Sequence, residues 1–285
     1  MIRKIMVPIR GDGKGENVLR HAMALARRFS AHIEAVHCRP RAEDLLPFGV
    51  PIPTFLRDQM TGQAREVADA EEARLRGLFD ALVASSGLTR SDKPVDGAAS
   101  IAWFEEAGKQ VDVIKSHGRL CDFIVVAKPD RDRNLGANTL KTALFNVGRP
   151  VLMCPPQESA PTTLGARAAI AWNGSLEATR AVALTLDLIK KADQVSILSV
   201  GGSNGGPGDA DAFKDYLALH GVSAEIRRAS ISGSAGATLL QEAKSAGADM
   251  LIMGAYGDSH ERETLFGGNT QVVVDTSTMP VALVH

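Results

Sequence analysis

The sequence predicts an α/β protein made of two copies of one unit, each a five-stranded, mainly parallel sheet with helices on both faces. Three observations predict it. The chain of 285 residues is about two domains long at roughly 150 residues per domain. Short apolar runs such as Phe123-Ile124-Val125-Val126-Ala127 alternate with amphipathic stretches, the pattern of strands buried on both faces between helices. The runs also recur at nearly constant offsets.

The first strand, Lys4-Ile5-Met6-Val7-Pro8-Ile9-Arg10-Gly11, returns as Ala168-Ala169-Ile170-Ala171-Trp172-Asn173-Gly174 at an offset of 163. In the second strand, Ile33-Glu34-Ala35-Val36 returns as Val195-Ser196-Ile197-Leu198 at 162. Later the offset shrinks: Asp122-Phe123-Ile124-Val125 matches Asp249-Met250-Leu251-Ile252 at 127, and Pro150-Val151-Leu152 matches Pro280-Val281-Ala282 at 130. The first copy therefore carries about 33 extra residues after its second strand. They begin with a segment from Arg39 to about Thr61 holding Pro40, Pro47, Pro51 and Pro53, and continue into a helix rich in Ala, Glu and Arg. The second copy has only Gly201 to Gly208 there. A Pro, Ser and Thr-rich stretch from Pro155 to Gly165 reads as the linker, so the expected domains are 1–157 and 165–285.

In the second copy, the expected strand 168–172 leads to a helix over 176–191, with Ala178, Val182, Leu186 and Ile189 at helical spacing. Strands over 195–200, 223–229, 249–254 and 280–284 alternate with helices over 209–220, 235–246 and 269–276. Such sheets bind ligands at the carboxyl ends of their strands, where the strand order reverses.

Composition excludes several functions. A net charge of −1 argues against a nucleic-acid binder, and aromatics at 5% leave little for base stacking. No apolar run approaches the roughly 20 residues that span a bilayer. Met1-Ile2-Arg3-Lys4 leads straight into a strand without a signal-peptide core. Cys38, Cys121 and Cys154 are odd in number and show no metal spacing, so reduced core thiols in a cytoplasmic protein are expected.

The most informative segment is Met253-Gly254-Ala255-Tyr256-Gly257, then nine residues, then Gly267-Gly268-Asn269-Thr270. Glycines after a buried strand let backbone N–H groups approach a ligand, and the following helix start would suit a phosphate, with the Thr270 hydroxyl as one more donor. The same glycines could equally close a tight turn and a surface loop; spacing alone leaves both readings open. Neither a GxxxxGK[ST] loop nor a GxGxxG fingerprint after a first strand is present.

On these residues the chain resembles a tandem universal stress protein. Gly254-x2-Gly257-x9-Gly267 fits that family's glycine pattern, Gly268 stands where the family has Ser or Thr, and Pro280-Val281-Ala282-Leu283-Val284 is similar to its closing strand. The resemblance covers both halves. It implies two Rossmann-like, adenine-nucleotide-binding-like domains, with ATP or another adenine nucleotide, and Mg2+ as its companion, in the C-terminal one. The implied contacts are Ala171, Trp172, Asn173, Gly254, Gly257, Gly267, Gly268, Asn269 and Thr270, with Asn173 standing where the family has an acid beside the adenine. In the first half Arg10 takes that place, Ala127-Lys128-Pro129-Asp130 replaces the first two glycines, and Gly136-Ala137-Asn138-Thr139 follows too soon, so the first site is expected to be degenerate. Pairing of the two halves through the strands near Val151 and Val281 is also expected, and a homodimer is left open.

Other residues have a bland reading beside the functional one. His260-Glu261-Arg262-Glu263 reads as a solvated loop, His37 and Cys38 as core or rim, Trp172 as packing as much as a pocket wall, and Gly201 to Gly206 as a flexible connection. His117 has no partner that sequence can locate. No catalytic or metal-binding constellation emerges. The expected function is that of a regulatory or sensor protein of the stress response, with at most slow ATP hydrolysis. The alternative is an interaction scaffold that binds no nucleotide.

Overall fold

A computed structural model of the chain describes residues 1–9, 13–39, 41, 53–157, 161, 163–201, 208–256 and 268–285. The first half runs β1 (Lys4–Ile9), α1 (Gly15–Phe29), β2 (His32–Arg39), α2 (Thr54–Ser86), β3 (Thr89–Arg90), β4 (Ser100–Ala107), α3 (Gln110–Gly118), β5 (Phe123–Ala127), α4 (Ala137–Asn146) and β6 (Val151–Cys154). The second runs β7 (Arg167–Ala171), α5 (Leu176–Lys190), β8 (Gln194–Val200), α6 (Ala210–Leu219), β9 (Ala224–Ala229), α7 (Ala235–Ser245), β10 (Met250–Gly254), α8 (Gly268–Thr276) and β11 (Val281–Val284).

Instead of two five-stranded sheets, the described strands form one sheet of eleven, in the order β3-β4-β2-β1-β5-β6-β11-β10-β7-β8-β9. The sixth strand of the first half, β3, is a two-residue edge strand parallel to β4, and it comes from the extra sequence. The two halves join because their closing strands pair. β6 and β11 run antiparallel, with Val281 opposite Met153, Ala282 opposite Leu152 and Leu283 opposite Val151. Since Leu152 and Ala282 are also equivalent positions of the two copies, a local two-fold axis passes through that pair. α1 and α5 obey the same axis: the Arg28 guanidinium donates to the Lys191 carbonyl, and the Lys191 ammonium donates to the Arg28 carbonyl.

Both faces of the sheet are covered. Ile5, Val7, Ile170 and Ile197 point to a core closed by Leu19 of α1, Phe79 of α2, Val182 of α5 and Phe213 of α6. Met6, Val126, Leu251 and Met253 point the other way, to a core closed by Val113 of α3, Leu140 of α4, Ala243 of α7 and Val273 of α8. Alternate residues of each strand thus bury opposite faces, which is why the strands read as continuous apolar runs. The extra length of the first copy lies largely in α2, which has 33 residues against 10 in α6. Only Leu75, Phe79, Leu82 and Val83 of α2 are buried, all in its second half.

Two equivalent carboxylates start the first strand of each copy. Asp122 accepts hydrogen bonds from the backbone N–H groups of Arg3 at 2.7 Å and Lys4 at 3.0 Å. Asp249 accepts from those of Ala166 at 3.0 Å and Arg167 at 3.2 Å. Burial pushes the Asp249 carboxyl up, against the opposing pull of these backbone donors.

His117 finds partners across the sheet. Its ring lies 3.7 Å from the Glu34 carboxylate and 3.1 Å from that of Glu106, while Lys4 holds Glu34 at 2.7 Å. The nearby Glu34 carboxylate raises the His117 pKa, against burial and with help from Glu106. For Glu34, burial pushes upward, but His117 and Lys4 beside it leave its pKa lowered. A histidine whose folded pKa is raised contributes stability that is complete below its unfolded value of about 6.5 and is lost as pH rises through the folded value. The denaturation midpoint should therefore fall as pH rises across that interval, and His117→Gln should flatten the fall. An unchanged slope in the variant would remove this network as its source.

Candidate functional site

The carboxyl ends of β7, β8 and β10 open onto a cavity of about 450 Å3. Its place follows from strand order: β7 lies between β8 and β10, and the helices leading to and from these strands pack on opposite faces, so a crevice opens where the order reverses. Helices α5, α7 and α8 all begin at this end. Asn269 Oδ1 accepts a bond of 3.2 Å from the Gly236 N–H, tying the start of α8 to that of α7.

Of the residues predicted to touch a ligand, Ala171, Trp172, Asn173, Gly254, Asn269 and Thr270 all line this cavity. Gly268 opens α8 with φ +78°, a left-handed conformation that favours glycine. Gly257 and Gly267 lie outside the described residues, as do Arg10, His260-Glu261-Arg262-Glu263 and Gly202 to Gly206.

Gly254 has a different reason to be glycine. Its φ is not positive, but a Cβ there would sit 2.5 Å from the carbonyl carbon of Glu177 and 2.6 Å from the nitrogen of Ala178. The end of β10 is pressed against the first turn of α5, so close packing alone demands glycine. The first half inverts the arrangement. Ala127 stands at the strand position and Gly15 at the helix position, and both line a cavity of only about 20 Å3. Lys14 closes that space, with its ammonium 3.3 Å from the Asp130 carboxylate and 3.4 Å from the Lys128 carbonyl.

Trp172 satisfies both of its readings. Its indole N–H donates to the Gly208 carbonyl at 2.9 Å, and its ring stacks on Phe213 at 3.9 Å with 12° between planes; the same side chain borders the cavity. Asn173 is exposed and shapes the turn, its Oδ1 accepting from the Ser175 N–H at 3.1 Å. Ser175 then caps α5 by accepting from Ala178 at 3.2 Å. The Thr270 hydroxyl accepts from the Tyr256 N–H at 3.3 Å, which leaves its own hydrogen to donate.

Sequence reasoning missed the rest of the wall. Ser175 was readable as a cap before an amphipathic helix. Ile231 and Leu239 reach the cavity only through the chain's return around β9 and α7, and no local pattern announces them; Tyr256 stands inside the glycine segment but is not among the expected contacts. Glu177 is the one formally charged side chain among the described lining residues. An anion here would be held by backbone N–H groups and the positive ends of helices.

Elsewhere the bland readings hold. His37 is buried and stacks on Trp103 at 5.7 Å, and the Cys38 thiol lies 3.2 Å from the Gly108 carbonyl. All three cysteines are free, and burial pushes Cys121 up to about 12. Among the described residues no group of His, Cys, Asp or Glu could hold a metal ion, and no helix is long and apolar enough to cross a membrane.

The fold defines the class first: a tandem α/β protein with a crevice at a switch point of a parallel sheet. The whole chain superposes on a universal stress protein from Archaeoglobus fulgidus DSM 4304, with TM-score 0.66 and 18% identity over 99% of this chain and 95% of that one. A functionally unknown protein from Pseudomonas aeruginosa PAO1 matches with TM-score 0.57 and 18% identity over 99% and 92%. The cytoplasmic domain of a prokaryotic cation chloride cotransporter shares the fold at TM-score 0.51 and 9% identity, over 99% and 95%. At these identities the likeness is one of fold. Comparison with curated proteins returns no match. Residues 167–285 match the model of the Universal stress protein family, and this half of the chain is a domain of that family.

The inverted glycine predicts a double-mutant result. Gly254→Ala should cost about 1–3 kcal/mol by forcing α5 away from β10. Ala178→Gly alone should cost about 1 kcal/mol of helix propensity. Because the atoms in the way are the backbone of Glu177 and Ala178 and the Glu177 Cβ, Ala178→Gly should not relieve the clash and the two costs should add; a double mutant clearly more stable than the sum would count against this account.

Proposed function

We propose that the C-terminal domain, residues 165–285, binds an adenine nucleotide in the cavity at the ends of β7, β8 and β10, and that the protein is a regulatory or sensor component of the stress response. One observation carries the reading: Ala171, Trp172, Asn173, Gly254, Asn269 and Thr270 line one cavity of about 450 Å3, whereas the space beside Ala127 and Lys14 in the first half is about 20 Å3 and the opening of about 470 Å3 in that half lies apart from it, at Glu106, Gly108 and Asp112. A volume of about 450 Å3 falls in the range of small-molecule sites. The proposed contacts are Ala171, Trp172, Asn173, Gly254, Gly257, Gly267, Gly268, Asn269 and Thr270, with Mg2+ accompanying the phosphates. The N-terminal domain, residues 1–157, is then a degenerate copy with a structural role, and the protein works in the cytoplasm. With no nucleophile or base assigned beside the cavity, turnover of the nucleotide is slow or incidental.

One observation favours the alternative, a scaffold without nucleotide. Donors at the starts of α5 and α7 are already taken by Ser175, Ser234 and Asn269, which leaves fewer N–H groups for a phosphate.

Two measurements separate the readings. Heat or acid release from the purified protein, followed by chromatography, should yield AMP, ADP or ATP. Millimolar ATP should raise the melting temperature through preferential binding to the folded state, and should do so less with Gly257→Asp or with Ala171→Leu, which fills the cavity. An empty protein with no ATP-dependent shift would leave the scaffold standing.

A further inference from the structure

The two-fold seam makes β6 and β11 antiparallel, so the carboxyl-end loops of one half lie beside the amino-end loops of the other. At this junction the second half's site touches the first. Tyr256 follows β10, leads into the glycine segment and lines the cavity. It has φ +56°, a left-handed conformation rare outside glycine, yet its side chain is buried. A strained backbone of this kind persists only where its surroundings hold it. Thr270 of the same half accepts from the Tyr256 N–H, and the other half holds the side chain. The Phe145 ring of α4 packs at 5.3 Å from the Tyr256 ring and 4.9 Å from that of His285. His285 in turn donates through Nδ1 to the Ala255 carbonyl at 3.0 Å.

The far end of the segment is held from the same side. α8 begins at Gly268 beside the cavity and is only nine residues long, a rod of about 13 Å. Near its end, Arg131 of the first half pairs with Asp275 at 2.6 Å, and the Lys128 ammonium donates to the Ser277 carbonyl at 3.0 Å. Lys128 belongs to the Ala127-Lys128-Pro129-Asp130 stretch that stands where the second copy has its first two glycines, and Arg131 follows it.

We propose that the altered loop and α4 of the first half brace the second half's site, with Phe145, Lys128 and Arg131 as positioning residues that hold Tyr256 and α8 in the geometry the ligand needs. The residues by which the first half departs from the glycine pattern are then the residues that serve its neighbour. This inference rests on the nucleotide reading for its ligand but not for its mechanics.

The test uses the full chain with MgATP as probe. In Phe145→Ala, amide exchange at Tyr256, whose N–H is held by Thr270, should speed up by about tenfold while exchange in β1 and β5 stays at the wild-type rate, and MgATP affinity should fall by a similar factor. Phe145→Leu should restore both to within about twofold, because it keeps an apolar side chain at the contact. Arg131→Met, at a side chain 61% exposed and so of little danger to folding, should weaken MgATP by about threefold. Wild-type exchange at Tyr256 in Phe145→Ala would overturn the brace, as would faster exchange spread equally over β1 and β5. If the wild-type chain binds no MgATP, the nucleotide reading fails, and the brace is decided by the exchange at Tyr256 alone.

Discussion

The antiparallel pairing of β6 with β11 is the interaction on which the other features depend. Each closing strand is buried on both faces, and its remaining backbone N–H and C=O groups have no water to turn to. An unpaired buried edge is costly and invites association. Pairing the two edges removes both problems and fixes the two-fold axis through Leu152 and Ala282. That axis decides which helices meet, α1 with α5 on one face and α4 with the end of β10 on the other. It also sets the loops of opposite polarity side by side.

Within each copy a second constraint acts, the close approach of a strand end to the first turn of a helix. At Gly254 the backbone of α5 comes so near that the strand residue must lack a side chain, while the first half carries Ala127 at that strand position and Gly15 on the helix. The glycine pattern that marks the second half is thus not a single device. Gly254 answers to packing, Gly268 to a left-handed turn, and each would be required whether or not a phosphate ever sits nearby. Their coincidence at the carboxyl end of β10, beside a cavity of about 450 Å3, is what gives the pattern its meaning for binding.

Much of this was legible in the sequence. The central strands of both halves showed as largely apolar runs, because parallel strands covered on both faces leave no polar alternation, whereas the edge strand β9, Ala224-Glu225-Ile226-Arg227-Arg228-Ala229, is half charged. The offset matching Asp122 to Asp249 located two carboxylates that do the same job at the same strand boundary. The closing strands could be named as the seam because the family resemblance implied pairing of the two halves there, and an unpaired edge would be a liability. What stayed hidden depends on contacts between residues far apart in the chain. β3 has two residues and no apolar signature. His117 meets Glu34 and Glu106 only after α3 folds over β2 and β4. The stack of Trp172 on Phe213 brings together residues whose separation follows no period. Phe145 carries no signal in the sequence; only the two-fold axis delivers it to Tyr256.

Joining both copies in one polypeptide has a consequence for how such a molecule can change over time. A symmetric dimer of separate subunits carries each substitution twice, so a residue that closes one crevice closes both, and the assembly falls apart on dilution. Here the seam is intramolecular and indifferent to protein concentration. Lys14 and Asp130 could fill one crevice while the other stayed open, and a residue lost to one role was free to take up another on the far side of the axis. Fusion turns an obligate symmetry into a division of labour.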